Sequence, residues 1–196
     1  MKSFIFILAT IILCNACNPK AALLYNLDVV KVNATFNNTN AIINLGDTIK
    51  LSVQIPDVLT SSSGNITVQS IQRAQFNLKF NKVDTLTNLS ILLYPPLFWT
   101  TKGNMNSPNG GDFEFSKGTK PHSVDICFKP QTKGIYFVEV LSQAGIIMVN
   151  NGYDGSIVVG FNVPNKHIEL ASPYFGNAWA NEAQTREPGI YVFRVN

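Results

Sequence analysis

The chain has 196 residues and a formal net charge of +3, and only 14% of its residues are charged. Its basic residues are scattered, with no run of lysine or arginine, so the composition argues against nucleic acid as a partner. A chain of this length with 45% hydrophobic residues can bury one sizeable core, and we expect a single folded domain.

The first sixteen residues have the pattern of an export signal. Lys2 gives a positive start, and an apolar run from Phe4 to Leu13 follows it, interrupted only by Thr10. As a helix, this run would span about 15 Å, half of a bilayer core of about 30 Å. It is therefore too short for a stable membrane helix and favours a signal peptide over residues 1–16.

The segment from Leu13 to Cys17 (LCNAC) resembles a bacterial lipobox. The resemblance implies that Cys17 becomes the first residue of the mature chain and carries acyl chains. Residues 17–22 would then be a lipidated tether and residues 23–196 the folded domain. Two or more acyl chains anchor a protein stably. Because Cys14 stands where the lipobox prefers leucine, plain secretory cleavage before Cys17 is the alternative.

The charge of the tether bears on which way the protein faces. Asn18 to Ala22 contains Lys20 but no acidic residue, whereas surface lipoproteins of Bacteroidota-type bacteria tend to be acidic just after the cysteine. By that analogy we expect an outer-membrane lipoprotein facing the periplasm, with exposure on the cell surface as the alternative. Cys127 is the one cysteine left for the mature domain, so no intramolecular disulfide is expected.

Alternating apolar and polar residues predict strands early in the domain. Leu23 to Val32 is a first strand-like run, and Asp47 to Ile55 is the clearest. Gln75 to Phe80 repeats the pattern, with every second residue apolar. A slip in the alternation near Ser70 predicts a bulge.

Later runs are apolar on both faces, which is typical of central strands. They are Val124 to Phe128, Ile135 to Leu141 and Ile157 to Val163, with a shorter strand at Gly145 to Val149. Ile190 to Val195 alternates again and should be paired inside the sheet.

Two segments break this pattern. Tyr94 to Pro121 is rich in proline and glycine and predicts a long loop, with a short strand at Asp112 to Phe115. In the second segment, Ile168 to Thr185, residues Ala178 to Gln184 predict two helical turns capped by Asn177.

Many short strands with little helix predict an all-β, antiparallel β-sandwich with a short helical segment near the C-terminus. Phe128 to Pro130 followed by Gly134 to Tyr136 resembles the corner before a late strand of immunoglobulin-like domains in bacterial surface proteins, where a tyrosine packs or bonds across the turn. Asn44 to Asp57 resembles the early strand of uncharacterised Bacteroidota lipoproteins. These resemblances imply an immunoglobulin-like sandwich in a cell envelope and no particular activity.

The sequence contains no coherent catalytic set. A nucleophile pair of Cys127 and His122 is opposed by strand geometry, because Asp125 and Cys127 would share one face and His122 would lie on the other. His167 and Glu169 could join only through the fold. Beyond the lipobox-like segment, whose Cys14 and Cys17 have CxxC spacing, there is no HExxH, CxxC or acid-rich calcium loop, so we predict no catalytic, cofactor-binding or metal-binding residues.

Aromatic residues give the candidate ligand surface, since flat exposed rings suit stacking on sugars or apolar peptide segments. Six of them cluster in the two irregular segments: Tyr94, Phe98, Trp99, Tyr174, Phe175 and Trp179. The alternative is that each group closes one end of the sandwich as part of the core.

Two threonines are candidate modification sites. Thr48 and Thr85 each follow an aspartate and precede an aliphatic residue, which resembles the O-glycosylation motif of Bacteroidota.

Together, these features predict a membrane-anchored envelope lipoprotein with a non-catalytic binding or scaffolding role. The expected partners are the membrane, through the N-terminal lipid, and a glycan or an envelope protein. A carbohydrate-binding module and a hydrolase of envelope polymers are the alternatives.

Overall fold

A computed structural model describes residues 29–61, 64–67, 71–95, 97–107, 111–116, 121–140, 145–149, 153–185 and 189–196. Within these ranges the chain is mostly β, as predicted, with fifteen strands and one α-helix. The leader, Cys17, the tether and the predicted bulge at Ser70 lie outside the described residues.

Six strands form a first layer, which we call layer I. They are β1 (Val29–Phe36), β3 (Ile49–Ile55), β8 (Phe98–Lys102), β11 (His122–Phe128), β13 (Gly145–Val149) and β14 (Tyr153–Phe161). Their spatial order is β8-β11-β3-β1-β14-β13.

Five strands form the facing layer II. They are β2 (Ile42–Ile43), β6 (Ile71–Asp84), β7 (Leu89–Leu92), β12 (Gly134–Val140) and β15 (Ile190–Val195). Their order is β2-β15-β12-β6-β7. The two layers pack face to face as in a β-sandwich.

Strand β6 belongs to both layers. Near its start, Ala74 pairs with Ile147 of β13 in layer I. Near its end, Lys82 pairs with Tyr136 of β12 and with Ile91 of β7 in layer II. Four short strands complete the described sheets: β4 (Val58–Ser61), β5 (Gly64–Thr67), β9 (Asn104–Met105) and β10 (Asp112–Glu114).

The prediction of a purely antiparallel sandwich is wrong at two strand pairs. β1 runs parallel to β14, and β15 runs parallel to β2. Alternation fixes which face of a strand is buried, but it does not fix the partner strand or its direction. Parallel neighbours need a long connection, and here each pair joins strands far apart in the chain.

Most predicted strands are confirmed. The alternation of β3 gives buried residues at every second position. The prediction of a loop from Tyr94 to Pro121 is wrong in its first half, however, because β8 and β9 lie there. The β-branched and aromatic residues from Phe98 to Thr101 favour a strand, and the nearby prolines masked this signal.

The inner core lies between the two layers and is rich in aromatic rings. Phe80 of layer II stacks on Phe98 of layer I with ring centroids 4.7 Å apart, and it lies 5.1 Å from Phe128. The Tyr136 and Phe193 rings are nearly parallel, with centroids 5.7 Å apart. Such ring pairs add stabilisation beyond the apolar area that they bury.

A second cluster covers the opposite, outer face of layer II, and we call it the outer cluster. The α-helix α1 (Ser172–Thr185) follows a short 3-10 helix (Ile168–Leu170) and packs against Ile135 and Phe137 of β12. Gly176, whose φ of 83° is not helical, divides α1 into two helical pieces. The second piece contains the predicted turns from Ala178 to Gln184, and the first adds a turn that was not predicted.

The corner before β12 has the predicted tyrosine. The hydroxyl of Tyr136 donates to the carbonyl of Thr132 at 2.7 Å and lies 2.9 Å from the Thr132 hydroxyl. The same threonine hydroxyl accepts from Lys82 at 2.7 Å. This bond back to the preceding turn is the arrangement known as a tyrosine corner in immunoglobulin-like domains.

Candidate functional site

The structure does not bring the six candidate aromatics together. Phe98 is a core residue, 2% exposed, so its ring is not available to a ligand. Phe175 and Trp179 are half-buried in the outer cluster, each about 6 Å from the Phe137 ring. Tyr94 and Trp99 are exposed, at 52% and 38%; Tyr94 lies in the connection after β7, and Trp99 lies in β8 of layer I.

Trp99 lies on the outer face of layer I beside a polar row. It pairs with Cys127, which in turn pairs with Lys50. The Lys50 ammonium lies 2.6 Å from the Asp125 carboxylate, and this hydrogen bond is the main cause that raises the pKa of Lys50. Burial alone would raise the pKa of Asp125, but the bonds from Lys50 and Ser52 outweigh it and lower that pKa.

Strand β11 separates the residues of the imagined nucleophile pair, as its geometry predicts. His122 lies on the inner side and its Nδ1 is 3.0 Å from the carbonyl of Ser116, whereas Cys127 is buried on the outer side. Among the described residues, no group of three or more histidine, cysteine or acidic side chains is arranged to hold a metal ion.

His167 ties the 3-10 helix to the loop before β2. Its Nε2 donates to the carbonyl of Thr39 at 3.0 Å, and its Nδ1 lies 3.4 Å from the carboxylate of Glu169. The ring also contacts Tyr191, whose pKa is raised by burial to about 12. The hydroxyl of Tyr191 in turn donates to the Asn40 carbonyl at 3.1 Å, so these contacts fix this loop to the sheet.

The most unusual surface of the described chain is the hairpin of β6 and β7, which we call the apolar hairpin. Nine large hydrophobic side chains are exposed among the described residues, and five of them lie in this one stretch. They are Leu86 (93% exposed), Leu89 (63%), Ile91 (48%), Leu92 (37%) and Tyr94 (52%). Exposed apolar residues clustered in this way mark an interaction surface.

The turn of the apolar hairpin is well ordered. The Asp84 carboxylate accepts from the Leu86 amide at 3.0 Å and from the Thr87 hydroxyl at 2.6 Å. These bonds lower the pKa of Asp84, the Thr87 bond most of all. Asn88 closes the turn with a φ of 56°. Leu86 is therefore held in solvent by a defined turn.

One edge of β7 is open. β7 pairs with β6, and no other strand among the described residues pairs with it. An open edge leaves backbone N–H and C=O groups ready to bind another extended chain.

A groove of about 330 Å³ lies at the turn end of the apolar hairpin. It is formed by the turn, the start of β12, the end of β15 and the first turn of α1. Its lining residues are Thr85, Lys133, Gly134, Ile135, Tyr174, Arg194, Val195 and Asn196. The groove thus joins one candidate aromatic residue, Tyr174, to one candidate modification site, Thr85.

Sequence reasoning singled out neither the apolar hairpin nor the groove. The run from Leu89 to Tyr94 (LSILLY) carried a signal, because it is too apolar for a strand with one wet face. The groove carried none, because its residues are distant in the chain. Thr48 and Thr85 are both exposed, as a modified residue must be.

No described helix combines the length and the apolar character that crossing a bilayer requires.

Comparison with known proteins gives little guidance. No protein-family model and no curated protein matches the chain. A solved structure with distant likeness is the type II cohesin dyad from the adaptor ScaA scaffoldin of Acetivibrio cellulolyticus, at 14% identity and a TM-score of 0.35. The match covers 66% of this chain and 46% of that one, so this chain spans about half the length of the structure it matches.

Proposed function

We propose that the protein is a lipid-anchored, non-catalytic binding domain of the bacterial cell envelope. Its body is an immunoglobulin-like β-sandwich, and it binds an extended segment of an envelope protein along β7. The observation that carries this proposal is the apolar hairpin, in which an ordered turn and an open strand edge keep five large apolar side chains in water.

The tyrosine corner supports the immunoglobulin-like assignment. The bond from Tyr136 to Thr132 spans four residues at the start of a strand inside layer II. Immunoglobulin-like domains use this bond to fix the corner where the chain passes between sheets.

Docking on β7 would use two kinds of interaction. Backbone groups of the incoming segment would continue the ladder of layer II, and its side chains would cover Leu89 and Ile91. Fully burying one aliphatic side chain contributes about 1.5–3 kcal/mol. Several of them, together with backbone hydrogen bonds, are enough for specific binding of a short segment.

Site-specific crosslinking tests the docking edge. A photoreactive residue replaces Leu89 in the full chain within cells, and a control places it at Thr101, which is exposed on layer I. We expect Leu89 to crosslink to one extended segment of an envelope protein, and Thr101 to show no such product. Adducts to lipid alone, or to a second copy of this chain, would contradict the proposal.

The leader and the lipobox-like segment support the lipid anchor. The anchor would hold the domain at the outer membrane, facing the periplasm. Labelling with a clickable palmitate analogue, with Cys17→Ala as the control, tests it. We expect label in the wild type and none in the variant. If the wild-type protein is not labelled, the protein is secreted without a lipid anchor and the proposal of an anchor is wrong.

A glycan-binding role is the second candidate, and Trp99 favours it. Its exposed ring lies on a polar sheet face near Lys50 and Asp125, which could bind sugar hydroxyls. If this role is real, Trp99→Ala lowers affinity for envelope glycans and leaves the melting temperature unchanged.

A further inference from the structure

We infer that the groove beside the apolar hairpin binds an acidic side chain of the docked segment, so the partner carries a glutamate or aspartate next to its apolar residues. This inference rests on the proposed function, because it names the chemistry of the same partner.

The groove offers two cations to an incoming group. Lys133 and Arg194 are both exposed, and no ion pair joins either of them to a carboxylate among the described residues. A guanidinium can hold both oxygens of a carboxylate, and an ammonium adds a second point of attraction.

The nearest acidic residue of the hairpin is already engaged. The Asp84 carboxylate accepts from the Leu86 amide and the Thr87 hydroxyl, both within the turn. Its hydrogen bonds are made within the turn, and no ion pair joins it to either groove cation.

The groove has room for a side chain together with the backbone that carries it, and its walls are partly apolar. Its volume is about 330 Å³, and Ile135 and Val195 give it a buried apolar floor. Tyr174 adds a half-buried aromatic ring at the side. The methylene groups of a glutamate would lie on these surfaces while its carboxylate meets the cations.

The position of the groove links it to the open edge. Thr85 lines the groove, and Leu86 follows it directly in the turn that leads to β7. The strand order places the groove on the β12 and β15 side of this turn, so a segment paired along β7 reaches it by folding back over the turn. The turn shared by the edge and the groove favours an acidic peptide over a free anion.

Three synthetic peptides test the inference. Each is an end-blocked decapeptide in which valine or isoleucine alternates with glutamate, glutamine or lysine. Their affinities for the full lipid-anchored chain are measured by fluorescence polarisation at low and at high salt. We expect the glutamate peptide to bind about fivefold more tightly than the glutamine peptide, the range of an exposed ion pair, and the lysine peptide to bind most weakly. High salt should reduce the difference.

The variants decide which groups are responsible. Lys133→Gln combined with Arg194→Gln should abolish the preference for glutamate, whereas Lys129→Gln, an exposed cation that does not line the groove, should keep it. A preference that survives in the double variant overturns the inference.

Two further outcomes separate this inference from the proposed function. Equal binding of the glutamate and glutamine peptides, lowered for both by Leu89→Ser, overturns the acidic partner and leaves docking on β7 intact. Failure of every peptide to bind overturns docking and the inference together.

Discussion

The outer face of layer II and the β7 edge of the same layer are both apolar, yet only the first is covered by the chain itself. Phe137 on the outer face lies beneath α1 and is 5% exposed, whereas Leu89 at the edge is 63% exposed. Apolar side chains are thus buried by the helix on the outer face and exposed to water at the β7 edge. An apolar strand shows that a cover is needed, but not whether the cover belongs to the same chain.

Phe137→Ala should cause the largest loss of stability. Its ring contacts both Phe175 and Trp179, so the substitution leaves a cavity under α1 and lowers the free energy of unfolding by about 3–4 kcal/mol. Urea denaturation measures it. Leu92→Ala on the exposed edge is the matched control and should cost far less; equal losses would contradict the contrast between the two surfaces.

Trp179→Ala should have the next largest effect. Its ring is half-buried against β12, so we expect a loss of about 1–2 kcal/mol and a lower melting temperature. Trp99→Ala, at the exposed ring of layer I, should cost less than about 1 kcal/mol. If Trp179→Ala leaves the melting temperature unchanged, the helix is not a structural cover and its rings are open to a ligand.

Tyr136→Phe should cost about 1 kcal/mol, because it removes the part-buried hydroxyl contacts with the Thr132 carbonyl and hydroxyl and keeps the ring in the inner core. Chemical denaturation compared with the wild type measures it. An unchanged stability would mean that ring packing alone fixes the corner, which would remove the bond that supports the immunoglobulin-like assignment.

Leu89→Ser should change stability by less than about 0.5 kcal/mol, since the side chain is mostly in water already. Its effect should appear in binding to the edge. A clear loss of stability without any change in binding would place Leu89 with the core residues.

The smallest expected effect is local and depends on pH. Hydrogen bonds from Thr87 and Leu86 lower the pKa of Asp84 below its ordinary value near 3.8. The bond to the Leu86 amide is therefore complete above that ordinary value, and it is lost as the pH falls through the lower pKa of the folded protein. The Leu86 amide resonance should titrate in the wild type but not in Asp84→Asn. A resonance that does not move in the wild type would show that the turn is held by other contacts.

The sequence could predict which face of a strand is buried, but not which strands pair with each other. The alternation of β3 identified its buried residues, because period-two patterning acts within one strand. In β15 the alternation identified Tyr191, Phe193 and Val195, but Ile190 and Val192 are also buried, in the outer cluster. The parallel pair of β1 with β14 depends on residues far apart in the chain, and no local pattern encodes it.

The candidate site was less accessible to sequence reasoning for the same reason. Tyr174 and Thr85 are far apart in the sequence, and only the fold brings them to one groove. The prolines around Phe98 predict a loop, whereas burial against Phe80 places this residue in the core.

Strand β6 connects the two layers mechanically. Its fourteen residues form a single backbone that meets β13 in layer I at one end and carries β7 at the other. A pulling force on a segment bound to β7 is therefore transmitted as shear along β6 into layer I. Under shear, many hydrogen bonds of the sandwich bear the force at the same time and are not broken one after another.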